Sequence, residues 1–201
     1  MPCSARATRY LQATQHIPRW GRSPRVPLAG RVTYIPGMSA PFKVTVSKDY
    51  LTFSSAHFIT FSGHQCESLH GHNYRVAVSV EGDVDPECAF VVDFAILKTA
   101  VRDLIKPMDH RVLLPTGNDK LAMGDEGESL VVQYFGKRRF QFPRADVCLL
   151  PITNTTAEMI AAYLAGQIQA HLTRFTNLEA LEVEVEESVG QSAFYRANLR
   201  D

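Results

Sequence analysis

The sequence predicts an α+β domain, and three observations predict it. Apolar residues alternate with polar ones at 42–46, 74–80 and 181–185, the period of half-buried strands. Apolar residues recur at helical spacing over 94–105 and 160–172, each run behind an N-cap signal. The chain has 201 residues and 45% hydrophobic content, enough for one ordinary core with at most an appendage.

Residues 1–41 contain no Asp or Glu, but carry Arg6, Arg9, Arg19, Arg22, Arg25 and Arg31, several prolines and no sustained period. This composition predicts an extension outside the fold. It resembles an organellar transit peptide, or it reflects a start assigned too early, with Met38 opening the true chain. The domain is therefore placed at 42–201. Its first strand sets Phe42, Val44 and Val46 on one face and runs through Phe53 to His57. Residues 59–69 have no clear period and are rich in Gly, Ser and His, which predicts a loop. A second strand follows at 73–82, and the run from Gly82 to Pro86 is turn chemistry.

The chemistry concentrates between these two strands. His70 and His72 stand two apart, directly before Tyr74, Val76, Val78 and Val80, so both imidazoles share one strand face with that apolar series. Pairing with the first strand can bring His57 alongside. Three histidines suit zinc, and a three-histidine set with a vacant position is the catalytic arrangement. Cys66 or Glu67 filling that vacancy would make the site structural instead. Cys66 lies in GHQCES, polar on both sides and close in sequence to the expected cation, which favours a reactive thiolate over a core cysteine.

Further on, Asp93 is a good N-cap for a helix carrying Phe94, Leu97, Val101, Leu104 and Ile105, which Pro107 stops. Asp109 and His110 follow at the helix exit, placed to deliver a carboxylate and an imidazole to a site. Residues 113–128 read as a loop, and 129–135, 139–142 and 147–150 as short strands of an inserted hairpin at about 129–150. Thr155 and Glu158 fit a capping box ahead of Ile160, Leu164, Ile168 and Leu172. In the last predicted strand Leu181, Val183 and Val185 face inwards, and Glu187 continues that row. A carboxylate on a buried face needs a cation or a ligand with N–H donors, unless the strand ends there and Glu187 reaches water.

Several classes are disfavoured. The balance of 21 basic and 21 acidic residues argues against a general nucleic-acid binder, though a local basic patch could still hold phosphates. Four cysteines without a CxxC pair give no disulfide framework, so a reducing, cytoplasmic setting is expected. No apolar run approaches the roughly 20 residues that span a bilayer. A cupin-type metal oxygenase needs a Glu a few residues beyond the HxH pair, whereas Glu81 lies nine beyond His72 and on the opposite strand face. A non-enzymatic zinc module is the other rival.

Six motifs in order carry a resemblance over 42–195: SSAH ending at His57, CESLHGHNY from residue 66, VVDFAILK from 91, MDHRVL from 108, TTAE from 155, and VEESVGQSAFY ending at Tyr195. With these the chain resembles the 6-pyruvoyl-tetrahydropterin synthase and 6-carboxytetrahydropterin synthase family. The resemblance implies zinc on His57, His70 and His72, Cys66 as the catalytic thiol, Asp109 and His110 assisting it, and Glu187 anchoring the pterin. It implies the tunnelling fold: an antiparallel four-stranded sheet with two helices on one face. Subunits join their sheets into a barrel, a hexamer or tetramer, with sites between them and Asp109 and His110 supplied by a neighbour. The implied substrate is 7,8-dihydroneopterin triphosphate. Some relatives carry a glutamate in place of the cysteine and give 6-hydroxymethyl-dihydropterin, and this chain carries both groups, Cys66 and Glu67.

Overall fold

The computed structural model describes residues 42–200, so the expectation for residues 1–41 lies outside them. The elements in chain order are β1 (Phe42–His57), β2 (His70–Gly82), α1 (Phe94–Ile105), β3 (Arg111–Pro115), β4 (Leu121–Glu126), β5 (Ser129–Tyr134), β6 (Lys137–Pro143), β7 (Val147–Leu150), α2 (Ala157–Leu172), β8 (Leu178–Ser188) and β9 (Gln191–Asn198).

Strands β1, β2, β8 and β9 form the antiparallel four-stranded sheet that the motifs imply. The sheet is nonetheless larger and mixed. β3 adds to β1 in parallel and β7 adds to β3 in parallel, giving the order β7-β3-β1-β2-β8-β9. The core packs Val76, Val78, Val80, Leu181, Val183 and Val185 against Leu97, Val101, Ile105, Ile160, Leu164 and Ile168, which are all buried. The other sheet face is polar and internally paired. Lys43 reaches Glu182 at 2.6 Å, Arg196 clamps Glu81 through two 2.6 Å bonds, and Thr45 meets Ser79 at 2.8 Å.

One irregularity decides where the site falls. Before it the inward residue of β1 is Val46, and after it they are Leu51, Phe53, Ser55 and His57, a change from even to odd numbers. The pairing of β1 with β2 shifts between Ser47 and Thr52, and such a bulge turns the following side chains to the other face. Without it, an alternation begun at Val46 would aim His57 away from the core.

Asp93 caps α1 as expected, accepting the Ala95 N–H at 2.8 Å. The cap of α2 is Thr156, whose side chain accepts from Met159 N–H at 3.4 Å, and not Thr155. Thr155 is fully buried and donates to the Phe58 carbonyl at 2.9 Å, which ties the helix start to the end of β1.

The insertion also differs from the expected hairpin. It is a three-stranded antiparallel sheet, β4-β5-β6, and β7 belongs to the main sheet. The end of β3 and all of β4 occupy 113–128, where the sequence predicts a loop, and β9 follows the strand expected to be last. β4 reads LAMGDE, without one β-branched residue, and its residues are exposed or half-buried, so no strand period shows. Leu130, Val132, Val147, Leu114 and Phe58 form a small second core beneath this sheet.

Candidate active site

The histidines meet where β1 and β2 emerge from the core. His57 pairs with His70 across the two strands, and His72 stands opposite Ser55. The ring centroids are 4.5 Å apart for His57 and His70, 5.3 Å for His57 and His72, and 5.0 Å for His70 and His72. One ligand nitrogen from each ring lies within 4.8 Å of the other two, and Cys66 does not join that group. Gly71 between them is favoured by space, because a Cβ there would sit 3.0 Å from the Ser55 carbonyl oxygen and the backbone would have to give slightly.

Ring orientations follow from the hydrogen bonds behind them. His57 is fully buried and its Nδ1 lies 2.8 Å from the Thr155 carbonyl, so Nδ1 carries the proton and donates. Its Nε2 lone pair then faces the cluster, buried and without a hydrogen-bond partner. His70 Nδ1 donates likewise to the Ser68 carbonyl at 3.0 Å. Burial lowers the His57 pKa, the Thr155 bond and Glu187 opposing it, which favours the neutral imidazole that a cation needs. Backbone partners behind ligand histidines are the usual support of a metal site.

Glu187 lies at the same point. Its Oε1 is 3.4 Å from His57 Nε2 and 3.9 Å from His72 Nε2, and it accepts the Tyr74 hydroxyl at 3.2 Å. A carboxylate oxygen and an imidazole lone pair facing each other across 3.4 Å repel unless a cation or a proton donor is supplied. Burial raises the Tyr74 pKa, and Glu187 adds to that, so the hydroxyl stays a neutral donor.

Asp109 and His110 are pinned to β1. Asp109 Oδ1 accepts the Ser54 N–H at 2.9 Å and lies 3.0 Å from His110 Nδ1, while His110 N–H donates to the Ser54 carbonyl at 2.7 Å. The Ser54 N–H, with help from His110, holds the Asp109 carboxyl below its usual range. The His110 ring is 81% exposed. It shares with His72 an open cleft of about 500 Å³, lined also by Ser54, Asn73, Arg111 and Asp146.

Cys66 and Glu67 point apart. The segment 59–67 turns back on itself, with a bridge between Thr60 and Cys66 and a 2.9 Å bond from Glu67 N–H to the Ile59 carbonyl. In such extended pairing neighbouring side chains alternate sides. The Glu67 carboxylate accepts the Ile59 N–H at 3.2 Å and lies 3.7 Å from His70 Nδ1. The Cys66 side chain packs instead against the second core, where burial raises its pKa despite the nearby Arg139 guanidinium.

The sequence reading missed Thr155, which orients His57, Tyr74, which holds Glu187, and Arg139. The TTAE motif contained the first signal, because one of its two threonines was free of capping.

A structural cation site is closed and four-coordinate, whereas His70 and His72 here are 35% and 26% exposed. The Glu81 that a cupin reading would recruit is clamped by Arg196 on the opposite face. The fold and site thus define an α+β enzyme with a three-histidine cluster where two strands emerge from the core. The chain belongs to the 6-pyruvoyl tetrahydropterin synthase family, whose model matches residues 45–198, and it is a lyase of that pterin synthase family. A Methanocaldococcus jannaschii protein named for 6-carboxy-5,6,7,8-tetrahydropterin synthase is 38% identical over 151 residues, 74% of this chain and 91% of the relative. The 6-carboxy-5,6,7,8-tetrahydropterin synthase of Haemophilus influenzae is 28% identical over 62% of this chain and 81% of its own. The crystal structure of 6-pyruvoyl tetrahydropterin synthase from Plasmodium vivax superposes with a TM-score of 0.73 at 31% identity, covering 78% of this chain and 98% of that one. The Plasmodium vivax protein has also been solved with a catalytic glutamate changed to alanine or to cysteine.

Proposed function

We propose that the protein converts 7,8-dihydroneopterin triphosphate and water to 6-carboxy-5,6,7,8-tetrahydropterin, triphosphate and acetaldehyde, as a zinc-dependent lyase of the cytoplasm. The observation that carries the reading is the buried, unpartnered His57 Nε2 aimed at the nitrogens of His70 and His72. His57, His70 and His72 would hold the zinc, and its chemistry would be to acidify the side-chain hydroxyls of the substrate. Glu187 accepts N–H donors of the pterin ring and fixes the side chain over the histidines. A base of the 59–67 segment removes a side-chain proton, and the Asp109–His110 pair, contributed by a neighbouring subunit, relays protons. Retention of the side chain would give 6-pyruvoyl-tetrahydropterin instead. The four-stranded antiparallel unit, with β9 at an outer edge, suits the barrel of several subunits, with sites between them, that the family's fold implies.

A second product has its own support. Glu67 lies at His70 while the Cys66 thiol is turned away, and the Plasmodium vivax relative has a glutamate as a catalytic residue. In this reading Cys66 serves formation of the 6-carboxy product, and Glu67 serves cleavage to 6-hydroxymethyl-dihydropterin. The test incubates the purified protein, Cys66→Ala and Glu67→Gln with the substrate and follows both products by mass analysis. Cys66→Ala should lose the 6-carboxy product and keep the hydroxymethyl one, and Glu67→Gln should do the reverse. If Cys66→Ala makes neither, or Glu67→Gln leaves the ratio untouched, Glu67 is not a base.

Glu187→Gln should weaken pterin binding while zinc content stays near one per subunit. Loss of a charge-assisted pair costs about 1.5–3 kcal/mol, roughly ten- to a hundredfold in Kd. Titration with a non-reacting pterin checks this, and an unchanged Kd removes Glu187 from the pterin site.

A further inference from the structure

We propose that the inserted sheet β4-β5-β6 positions the 59–67 segment and so sets which of the two adjacent bases, Cys66 or Glu67, faces the histidines. The inference rests on the two-base reading given above. Its physical root is the alternation of an extended pair, since a slip of one residue exchanges the sides on which Cys66 and Glu67 stand. Asn154 and Asn118 anchor one end of the segment at Thr60, but between its two arms the backbone pairing is one bridge and two flanking bonds, which gives the far arm with Cys66 little register of its own. Phe61 N–H to the Gln65 carbonyl and Glu67 N–H to the Ile59 carbonyl, both 2.9 Å, flank the bridge of Thr60 with Cys66. Register must come from outside.

The insertion and its leading turn supply it at both ends and along the side. The Lys120 ammonium donates to the Phe61 carbonyl at 2.9 Å. At the tip, the His64 and Phe135 rings meet edge to face with centroids 4.5 Å apart. Both residues have left-handed backbones, with φ of 58° and 46°. Neither is glycine, so each conformation has a cost that the contact helps to offset. Phe140 lies 4.7 Å from Phe58 between ring centroids, and Cys66 fits into the small core formed with Leu130 and Val132. Arg139 Nη2 reaches the Glu67 carbonyl at 3.5 Å. Together these contacts keep the thiol on the side of the insertion and leave the Glu67 carboxylate at His70. Releasing them lets the thiol leave its apolar contacts and compete for the site.

The experiment uses the full chain with Phe135→Gly and Lys120→Met combined. Glycine accepts the φ of 46° without strain, and neither residue lines the site. Arg139 is kept, because its charge also acts on the thiol. The alkylation rates of Cys66 and of the half-buried Cys148 by iodoacetamide are read by peptide mass analysis, and the product ratio is measured alongside. Cys66 should react about three- to tenfold faster with Cys148 unchanged, because local opening exposes only the segment released. The ratio should move towards the 6-carboxy product. An unchanged Cys66 rate, or equal acceleration of both cysteines, overturns the positioning role. Faster Cys66 alkylation with an unmoved ratio upholds positioning and overturns the two-base reading.

Discussion

His57→Ala is expected to abolish the proposed zinc binding and to lower turnover by about a thousandfold or more, the largest loss among these single substitutions. His57 is the fully buried member of the three, and its Nε2 has no other partner. The change also strands the Thr155 carbonyl, which now accepts from Nδ1 at 2.8 Å in the interior. An unsatisfied buried acceptor costs about 1–3 kcal/mol, so the melting temperature should fall together with metal content. Elemental analysis of the purified variant decides the matter. Retention of one cation per chain would show that His57 is an ordinary core histidine.

Leu164→Ala should have the largest effect on stability and little on chemistry. Leu164 is fully buried on α2, within the same cluster as Val183, Val185 and Val78. Truncating such a leucine costs about 2–5 kcal/mol, because the helix and sheet cannot close on the lost volume. In a domain of this size that lowers the melting temperature by roughly 5–15 °C. Cation content and turnover well below the transition should be kept. A shift of only a degree or two would mean that the helix does not pack on the sheet as described.

Most of the site was legible because it depends on short-range periodicity. The HxH spacing put His70 and His72 on one face, and the alternation after Leu181 carried Glu187 onto the same row, where Tyr74 and the histidines meet it. What was not legible depends on contacts between distant segments or on weak local preference. The bulge after Ser47 that turns His57 inward lies in SKDY, a polar run with no period to break. β9 reads QSAFYRAN, with only Ala193 buried, so it carries no strand pattern of its own and owes its pairing to β8. The cap of α2 fell one residue late because Thr155 and Thr156 are chemically equivalent caps. Only the approach of β1 from nearly a hundred residues away decides which of them is free.

That separation shapes how the site is assembled. The three imidazoles lie within a sixteen-residue stretch, so an unfolded chain already brings them together at small entropic cost. The carbonyl that fixes the His57 ring arrives only when α2 docks, across 98 residues. A cation held by these rings therefore has some affinity for the unfolded chain as well. Its contribution to thermodynamic stability is smaller than its native affinity alone would give, since only the difference between the two states counts.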